Sequence, residues 1–419
     1  MTMNRKKLIT TSLLGALLFT PLFAGDGVFS GMVRDYAAFR FSQTDLPVHE
    51  ITADVRYEYY GDLGKLTLHP IAYSNPNKDL ELSLGEAYVD FYLESTDVRI
   101  GMQKVIWGEA EGAFITDLVS PRNLRSFILA DFTEIRKAVP AIKVDHYVGD
   151  YTVEAIWISH FVPFSPPSED SMWKQEATLP FPSAITATVK DPTMPESSLE
   201  NSELFLSLSH FAPQLSWTVN GGYLWGDEPL VTSVITTGAT TRDIVQGYER
   251  YPFVGGSLNT SLASVVLRAE AALALDKPMN TLDMSANPPI SLEKHHQVQT
   301  LVGLDWNMFG AQWSSQYLMI YTHEHHDQLI SQMKSIKEFS HTLTFRVQDT
   351  FLDERLTAKL FTYVELDPAN ALFRPSLSYN LGDGVIVEGG AEIFVGDEGG
   401  TFGSYQDNSL AFLSLRWYF

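Results

Sequence analysis

The chain ends with NSLAFLSLRWYF, residues 408–419, in which apolar side chains recur at every second position. Successive side chains of a β-strand point to opposite sides, so this spacing gives a strand one apolar face. That face carries Leu413, Leu415, Trp417 and Phe419. A strand at the edge of a sheet has unpaired N–H and C=O groups, and closure of the sheet removes both edges. We therefore expect this last strand to pair with the first strand.

The same period of two runs through most of the chain. In residues 51–60, Ile51 and Val55 share one face, whereas Asp54 and Glu58 lie on the other. Alternation of this kind predicts half-buried strands. Eighteen strands are predicted, at residues 28–41, 51–60, 65–74, 82–93, 98–107, 138–148, 151–161, 203–211, 215–226, 250–259, 262–275, 296–308, 312–322, 338–349, 354–366, 371–380, 384–395 and 408–419. Most are near the length of about 9–11 residues with which a tilted strand crosses a bilayer.

The connections between these strands alternate in length. Every second connection is short, as at 61–64, 94–97 and 149–150. The others are mostly long, at 108–137, 162–202, 227–249, 276–295 and 323–337, with 367–370 as a short exception. Short turns on one side and long loops on the other are typical of outer-membrane barrels, and a soluble β-sandwich has no reason to segregate its loops. The pattern therefore predicts an all-β fold, a transmembrane antiparallel up-and-down β-barrel of about 18 strands, with 16 as the alternative.

The first residues predict export. Arg5, Lys6 and Lys7 precede an apolar run at 8–23, and Ala24 provides a small residue for cleavage. These three parts are those of a secretory signal peptide. We expect residues 1–24 to be the signal peptide and residues 25–419 to form one barrel domain in the bacterial outer membrane. The chain has no Cys, which excludes disulfides and thiolate metal sites.

The composition is strongly acidic. The formal net charge is −22, and removal of the three basic residues of the signal peptide gives −22 − 3 = −25. Such a charge excludes nucleic acid as a partner bound through its phosphates. It favours a field that attracts cations. After the signal peptide, no apolar run reaches the roughly 18 residues of a transmembrane helix.

The C-terminal pattern resembles the C-terminal signal of bacterial outer-membrane proteins, which end on Phe with apolar residues at every second position before it. This resemblance implies that the lipid bilayer surrounds the chain. It also implies that the outer-membrane assembly machinery is a partner that reads Phe419.

Residues 84–141 carry a second resemblance, to an uncharacterised Gram-negative outer-membrane β-barrel family that is porin-like. The family signature is an E-x-Y strand, then G-[basic]-Q-x-x-x-W-G-E, an N/D…P-x-x-L segment and a closing E-x-R-x-x-x-P. The matching residues are Glu86, Tyr88, Gly101, Gln103, Trp107, Gly108, Glu109, Asp117, Pro121, Leu124, Glu134, Arg136 and Pro140. Met102 stands where the family usually has Lys or Arg. The resemblance implies the location and the fold rather than a substrate.

The segment at 108–137 is the third connection on the long-loop side. In porins the third external loop commonly folds into the barrel and narrows it, an analogy at the level of the fold. Ser120 followed by Pro121 is a helix-start signal, and Leu124, Phe127 and Ile128 follow at helical spacing. We therefore expect a short helix within 117–129, docked on the barrel wall inside the lumen.

Charges are dense and mixed in this segment. Facing acids and bases across a narrow passage give a transverse field that selects polar solutes. The predicted constriction residues are Glu109, Glu111, Asp117, Arg122, Arg125, Asp131, Glu134 and Arg136, with Arg99 and Gln103 on the lumen wall. The alternative is that these charges pair with each other and with the wall, and only hold the loop in place.

Two histidine-rich stretches, HEHHDQ at 323–328 and KHH at 294–296, raise the question of a metal site. Zinc and copper sites need a defined geometry and a second shell of hydrogen bonds. Both stretches lie in predicted long loops, where histidine is an ordinary exposed polar residue. We expect no metal site, and the alternative is a site on His323, His325, His326 and Asp327.

Two further features bear on function. His160 lies at the long-loop end of a predicted strand, but no spacing singles out a nucleophile with its base, so we expect no enzyme activity and no cofactor. Seven prolines in residues 162–202 argue against helix or sheet across that run and predict an external surface loop.

Together these features predict a porin-like outer-membrane channel for passive or ligand-selective passage of small-molecule solutes, cation-favouring, with the 108–137 loop as its constriction. One alternative is a plugged barrel that moves lipidic or aromatic molecules with a periplasmic partner. Another is a structural or adhesin-like surface protein. The oligomeric state is left open.

Overall fold

The computed structural model describes residues 27–43, 46–74, 80–127, 134–175, 181, 184–331, 334–397 and 399–419. The predicted signal peptide at 1–24 and Asp131 lie outside these residues. No helix in the described ranges is both long and apolar enough to cross a membrane.

Eighteen antiparallel strands form one closed barrel, and each of them corresponds to a strand predicted from the alternation. Their bounds are β1 Gly27–Arg40, β2 Val48–Gly61, β3 Gly64–Ser74, β4 Glu81–Tyr92, β5 Thr96–Gln103, β6 Val139–Val148, β7 Tyr151–Ile158, β8 Glu203–His210, β9 Leu215–Trp225, β10 Arg250–Leu262, β11 Val265–Leu282, β12 Ile290–Met308, β13 Ala311–Thr322, β14 Phe339–Phe351, β15 Leu356–Leu366, β16 Ala369–Gly382, β17 Val385–Gly396 and β18 Leu410–Tyr418. Each strand pairs with its neighbours along the chain, and β18 pairs with β1.

The two chain ends of the described barrel close the ring. The β1–β18 ladder runs from Met32 opposite Tyr418 to Arg40 opposite Leu410. Beyond it, the Gly31 N–H donates to the Phe419 carbonyl at 3.0 Å. The Phe419 N–H donates to the Gly31 carbonyl at 3.1 Å. A Cβ on Gly31 would lie 2.7 Å from the Phe419 ring, so glycine is what lets the terminal ring lie there. Closure leaves the barrel itself without an edge strand, as the sequence predicts.

The alternation separates an outer apolar face from an inner face. On β8, Leu206 is 54% exposed on the outside, whereas its neighbour Phe205 is 1% exposed inside. On β18, Leu413 and Leu415 are exposed and the intervening Ser414 is fully buried. An apolar band on the outside of a closed barrel is the arrangement that lipid requires.

Two predictions about the external connections are wrong. The predicted loop at 276–295 is mostly strand, because β11 and β12 continue to Leu282 and from Ile290, with a register shift between Ala274 and Lys277. The described part of the proline-rich 162–202 loop also contains a strand, Thr186–Val189, in a stretch without proline. That strand pairs in parallel with Thr241–Gly247, which pairs with Leu230–Thr236. A sheet partner from another loop supplies the hydrogen bonds that local sequence does not.

Smaller elements complete the external side. A short hairpin, Leu329–Ser331 and Lys334–Ser335, pairs with β11 through Ile330 and Leu329. A 3-10 turn, Gly403–Asn408, precedes β18. The connection between β15 and β16 is the expected short exception, Asp367-Pro368.

Candidate solute passage

The segment between β5 and β6 is described at residues 104–127 and 134–138; these residues run across the lumen, and we call them the inner loop. Its backbone is held by side chains of the opposite wall. Glu270 on β11 accepts hydrogen bonds from the N–H groups of Glu109 and Ala110, the latter at 2.6 Å. Tyr363 on β15 donates to the Gly112 carbonyl at 3.1 Å. The loop therefore lies inside the barrel, as the sequence predicts.

The chain leaves the wall at the end of β5, four residues earlier than the predicted end at Trp107. The reason is that the next N–H groups find side-chain acceptors inside the lumen. The N–H of Val105 donates to Ser120 at 2.8 Å, and that of Trp107 donates to Asp117 at 3.0 Å. The chain then turns at Gly108, where φ is +87° and a Cβ would lie 2.8 Å from a Glu270 oxygen.

The helix predicted within 117–129 is absent from its described part, residues 117–127. Ser120, the expected helix cap, accepts a hydrogen bond from Val105 instead. The backbones of Arg122 and Arg136 form an isolated antiparallel β-bridge. This stretch therefore pairs with the part of the loop that returns to β6. Phe127 has a φ of 55°, which a helix cannot contain. Tertiary partners thus override the local helix signal.

Apolar packing holds the inner loop against one side of the wall. Trp107 is 8% exposed and packs edge-on against Phe205 at 5.8 Å between ring centroids. Ala113 and Ile115 are buried against Leu301 and its neighbours on the wall. The loop therefore fills the lumen next to β6–β13 and leaves space on the other side.

A buried ion pair joins the part of the inner loop that leaves β5, which carries Asp117, to the part that returns to β6, which carries Arg136. Arg136 Nε donates to Asp117 Oδ2 at 2.6 Å, and both residues are almost fully buried. Burial raises the pKa of the Asp117 carboxyl, and the Arg136 guanidinium opposes that shift. This pair holds the loop together, which is the latching role that the sequence left as the alternative for these two residues.

We expect the Arg136→Met variant to loosen the inner loop. Removal of one partner leaves a buried charge uncompensated, at a cost of about 3–5 kcal/mol. The cost should be small at acidic pH, where Asp117 is protonated, and should grow as the pH rises through the raised pKa of this carboxyl. Limited proteolysis of the loop at acidic and at neutral pH measures this.

The matched control is Arg122→Met. Arg122 also forms an ion pair, with Glu228 at 3.0 Å, but both side chains are about one third exposed, at 34% and 33%. Such a pair contributes about 0–1 kcal/mol. Equal protease sensitivity of the two variants would contradict the role of the buried pair.

A cavity of about 310 Å³ lies between the inner loop and the opposite wall, on the side of β14–β18, β1 and β2. Five basic side chains reach it from the wall, and we call them the basic row: Arg34, Arg346, Lys359, Arg374 and Arg416. Arg125 reaches it from the inner loop. The carboxylates that line it are Glu50, Glu111, Glu134, Glu388 and Glu392. The cavity is thus strongly charged and carries both signs.

The strand register sets the positions of the basic row. Phe361 on β15 lies opposite both Arg346 and Arg374, so the two arginines are at one level of the barrel. Arg34 on β1 lies directly opposite Arg416 on β18. Like charges placed directly opposite each other on neighbouring strands are destabilising. The wall therefore concentrates positive charge at this level against a cost in stability.

The arginines that line the cavity are offset by carboxylates. Arg34 binds Glu134 at 3.1 Å, and Arg346 binds Glu111 at 3.1 Å, so two wall cations bind the inner loop. The other pairs are Arg374 with Glu392 at 2.9 Å, Arg416 with Glu388 at 3.0 Å, and Arg125 with Glu50 at 2.9 Å. Lys359 has no ion pair or hydrogen bond of its side chain among the residues that the structure describes.

The predicted constriction residues divide into groups. Glu111, Arg125 and Glu134 line the cavity. Glu109 lies against β10 and β11, where its carbonyl accepts from Arg268 at 3.2 Å. Asp117, Arg136 and Arg122 are paired away from the cavity, as described above, and Asp131 lies outside the described residues.

The two predicted wall residues lie on β5 but do not reach the cavity. Arg99 binds Asp90 at 2.6 Å and lies over the Tyr88 ring, 4.0 Å from its centroid. Gln103 is fully buried and donates to the Ala141 carbonyl at 3.0 Å.

Burial raises the pKa of Glu111 in the inner loop, and Arg346 opposes that shift.

Sequence reasoning missed the basic row. Its members are far apart in the sequence and become neighbours only through the closed register of β14–β18 and β1. A usable signal exists in the alternation, since Lys359 lies on the polar side of its predicted strand. Collecting the inward-facing charges of the last strands and of the first strand would have found the row.

No protein-family model and no curated relative matches the chain. Solved structures do match it in fold. OccAB1 of Acinetobacter baumannii is 8% identical, with a TM-score of 0.57 over 94% of this chain and 96% of that one. OccK2 (OpdF) of Pseudomonas aeruginosa, in complex with glucuronate, is 10% identical, with a TM-score of 0.53 over 94% and 97%. The outer membrane protein OpdK of Pseudomonas aeruginosa is 8% identical, with a TM-score of 0.50 over 94% and 99%. The shared feature is the fold, a closed antiparallel 18-stranded barrel of the outer-membrane porin kind.

Proposed function

We propose that this chain is an outer-membrane channel that admits small polar solutes carrying a carboxylate, with the inner loop as its constriction. The observation that carries the proposal is the basic row beside a cavity of about 310 Å³ in the lumen. No cofactor or energy coupling is needed, because pore width and lining charge govern passage through such a channel.

The chemistry of the row supports a carboxylate ligand. A guanidinium matches a carboxylate with two parallel hydrogen bonds, and such charge-assisted bonds are stronger than neutral ones. Arg34 and Arg416 lie directly opposite each other, so a carboxylate that enters the cavity meets two guanidinium groups from neighbouring strands. OccK2, which shares the fold, was solved with glucuronate, a sugar acid.

The paired carboxylates keep the row from binding its ligand too tightly. Each arginine of the row already has a Glu partner, so a solute exchanges one carboxylate for another as it passes. Conduction requires sites that bind strongly enough to admit a solute and weakly enough to release it. Lys359, which has no ion pair among the described residues, would be the first cation available to the solute.

For inorganic ions, the negative net charge of the whole chain favours cations, whereas the basic row favours anions. The acid excess predicts cation preference, and this stays a prediction that a reversal potential in a salt gradient tests. It concerns the field at the mouths of the barrel, whereas the basic row acts on a solute that has entered the cavity.

We expect glucuronate to enter liposomes that contain this protein faster than glucose, a neutral sugar of similar size. The reason is that the basic row attracts the carboxylate and leaves the neutral sugar unaffected. Liposome swelling measures both rates. The Lys359→Gln variant should lower the rate for glucuronate and leave the rate for glucose unchanged.

Arg99→Gln serves as the matched control, since Arg99 lies on the wall outside the cavity lining and is paired with Asp90. It should leave both rates unchanged. Equal entry of glucuronate and glucose, or faster entry of glucose, would argue against carboxylate recognition while leaving a general channel possible. No entry of either solute would overturn the channel itself.

A further inference from the structure

Three potential metal ligands come together on the external side of the barrel. Glu293 and His295 lie two residues apart on the external part of β12, and His326 lies in the β13–β14 connection. The Glu293 Oε2 atom is 3.4 Å from His295 Nε2 and 2.9 Å from His326 Nε2. One ligand atom of each residue lies within 4.8 Å of the other two.

The hydrogen bond of His295 Nδ1 leaves Nε2 of the same ring available as a metal ligand. His295 Nδ1 lies 3.0 Å from the His323 carbonyl oxygen, which only accepts. The Nδ1 atom therefore carries the proton, and in the neutral ring Nε2 presents its lone pair towards Glu293. Metal-binding histidines almost always have their second nitrogen fixed by a carbonyl or carboxylate in this way. The side chain of His295 is also buried, which fixes its orientation.

The spacing of the three groups fits a small transition-metal ion. Zinc binds imidazole nitrogen and carboxylate oxygen at about 2.0–2.2 Å, so ligand atoms in a tetrahedral site are roughly 3.3–3.5 Å apart. The Glu293–His295 separation of 3.4 Å lies within this range, and the Glu293–His326 separation of 2.9 Å is shorter.

We propose that Glu293, His295 and His326 form a binding site for one divalent transition-metal ion such as Zn²⁺, with a fourth position open to solvent. Two histidines and one carboxylate are an established ligand set for zinc with an open position. Glu293 is exposed and provides the route of entry from solvent. The site is independent of the solute passage, which lies on the other side of the lumen along β14–β18, β1 and β2.

This ligand set differs from the alternative that the sequence suggests, which consists of His323, His325, His326 and Asp327. His323 stacks on His296, with ring centroids 6.1 Å apart, and contributes only its backbone carbonyl to the site. His325 Nε2 lies 2.8 Å from the Ile336 carbonyl and is therefore engaged elsewhere. The extension of β12 beyond its predicted start brings Glu293 and His295 onto one strand face, opposite the connection that carries His326.

Metal binding would join the β13–β14 connection to β12. Two of the ligands belong to the strand and the third to the connection, so the ion crosslinks the two segments. The amides of residues 323–331 should then exchange more slowly with solvent when Zn²⁺ is present. A chelator should reverse the effect.

The test uses the full chain, folded in detergent and stripped of metal, with Zn²⁺ as the probe. Isothermal titration should give one Zn²⁺ per chain. The Glu293→Gln/His326→Ala variant should bind more weakly by roughly 100-fold or more, since loss of outer-shell partners alone costs 10–100-fold. It should also lose the zinc-dependent protection of residues 323–331. Both substitutions are at surface-accessible side chains, and circular dichroism checks that the barrel is intact.

The matched control is His296→Ala/His323→Ala, which removes the stacked pair of neighbouring histidines and keeps all three ligands. It should bind Zn²⁺ like the parent chain. Equal loss of binding in both double variants would reduce the site to diffuse binding by surface histidines. Unchanged binding in the Glu293→Gln/His326→Ala variant, or no binding by the parent chain, would overturn the proposal outright.

Discussion

Removal of residues 109–116 from the inner loop should raise the single-channel conductance several-fold. This segment is the part that crosses the lumen, through contacts of Ala110 with β11 and of Gly112 with β15. Without it the cavity beside the basic row would merge with the space along β11–β13. Barrels with about 16–18 strands leave an aqueous channel when no loop fills them. Planar-bilayer recording of the parent chain and the variant measures the change.

The deletion can be made without strain on the remaining loop. The N–H of Trp107 donates to the Asp117 carboxylate at 3.0 Å, so the two cut ends are already close and a short glycine linker joins them. The Asp117–Arg136 pair remains and continues to hold the base of the loop. The variant should therefore fold as a barrel, which heat-dependent gel migration checks.

Deletion of residues 237–240 is the control, because this stretch is the external turn between two strands of the small external sheet. It should leave the conductance unchanged. A parent chain without measurable current that opens only after removal of 109–116 would favour the plugged-barrel alternative. Unchanged conductance after that removal would contradict the role of the inner loop as the constriction.

The barrel was predictable because its signal is local. Each strand shows its two faces within about ten residues, as Ile51 and Val55 do against Asp54 and Glu58, and the connections between strands alternate between short and long. Errors arise where distant partners decide the backbone. Ser120 and Pro121 carry a helix signal, yet Ser120 binds Val105 and the stretch pairs with the returning arm of the loop. Local propensity yields there to contacts that only the closed barrel provides.

The functional groups were less predictable than the fold. Prediction concentrated on the charges that are dense in the sequence, at 109–136, and three of these residues do line the cavity. The basic row comes from five strands, one residue from each, and its nearest members in the sequence, Arg346 and Lys359, belong to different strands. The metal ligands follow the same rule, since Glu293 and His326 are 33 residues apart and meet only because β12 is longer than its predicted extent.

The Lys359→Glu variant should move the reversal potential strongly towards cation selectivity. Six basic side chains and five carboxylates line the cavity, which gives 6 − 5 = +1 when all are ionised. The substitution leaves five basic groups and six carboxylates, 5 − 6 = −1, so the sign of the lining charge reverses. Lys359 has no ion pair among the described residues, so no buried partner is left unpaired. The reversal potential in a salt gradient measures the shift, whatever the preference of the parent chain.

Lys190→Glu makes the same change in net charge at an external position, where Lys190 is 48% exposed and binds Asp243 at 3.0 Å. Salt at 0.1 M screens exposed charges beyond about 10 Å, whereas charges inside a narrow lumen are screened much less. This control should therefore shift the reversal potential little. Equal shifts in the two variants would mean that the field of the whole chain, rather than the lining of the cavity, sets selectivity. The absence of a shift in Lys359→Glu would mean that ions do not pass beside the basic row, because a charge reversal in a conducting constriction has to change the relative energies of cations and anions within it.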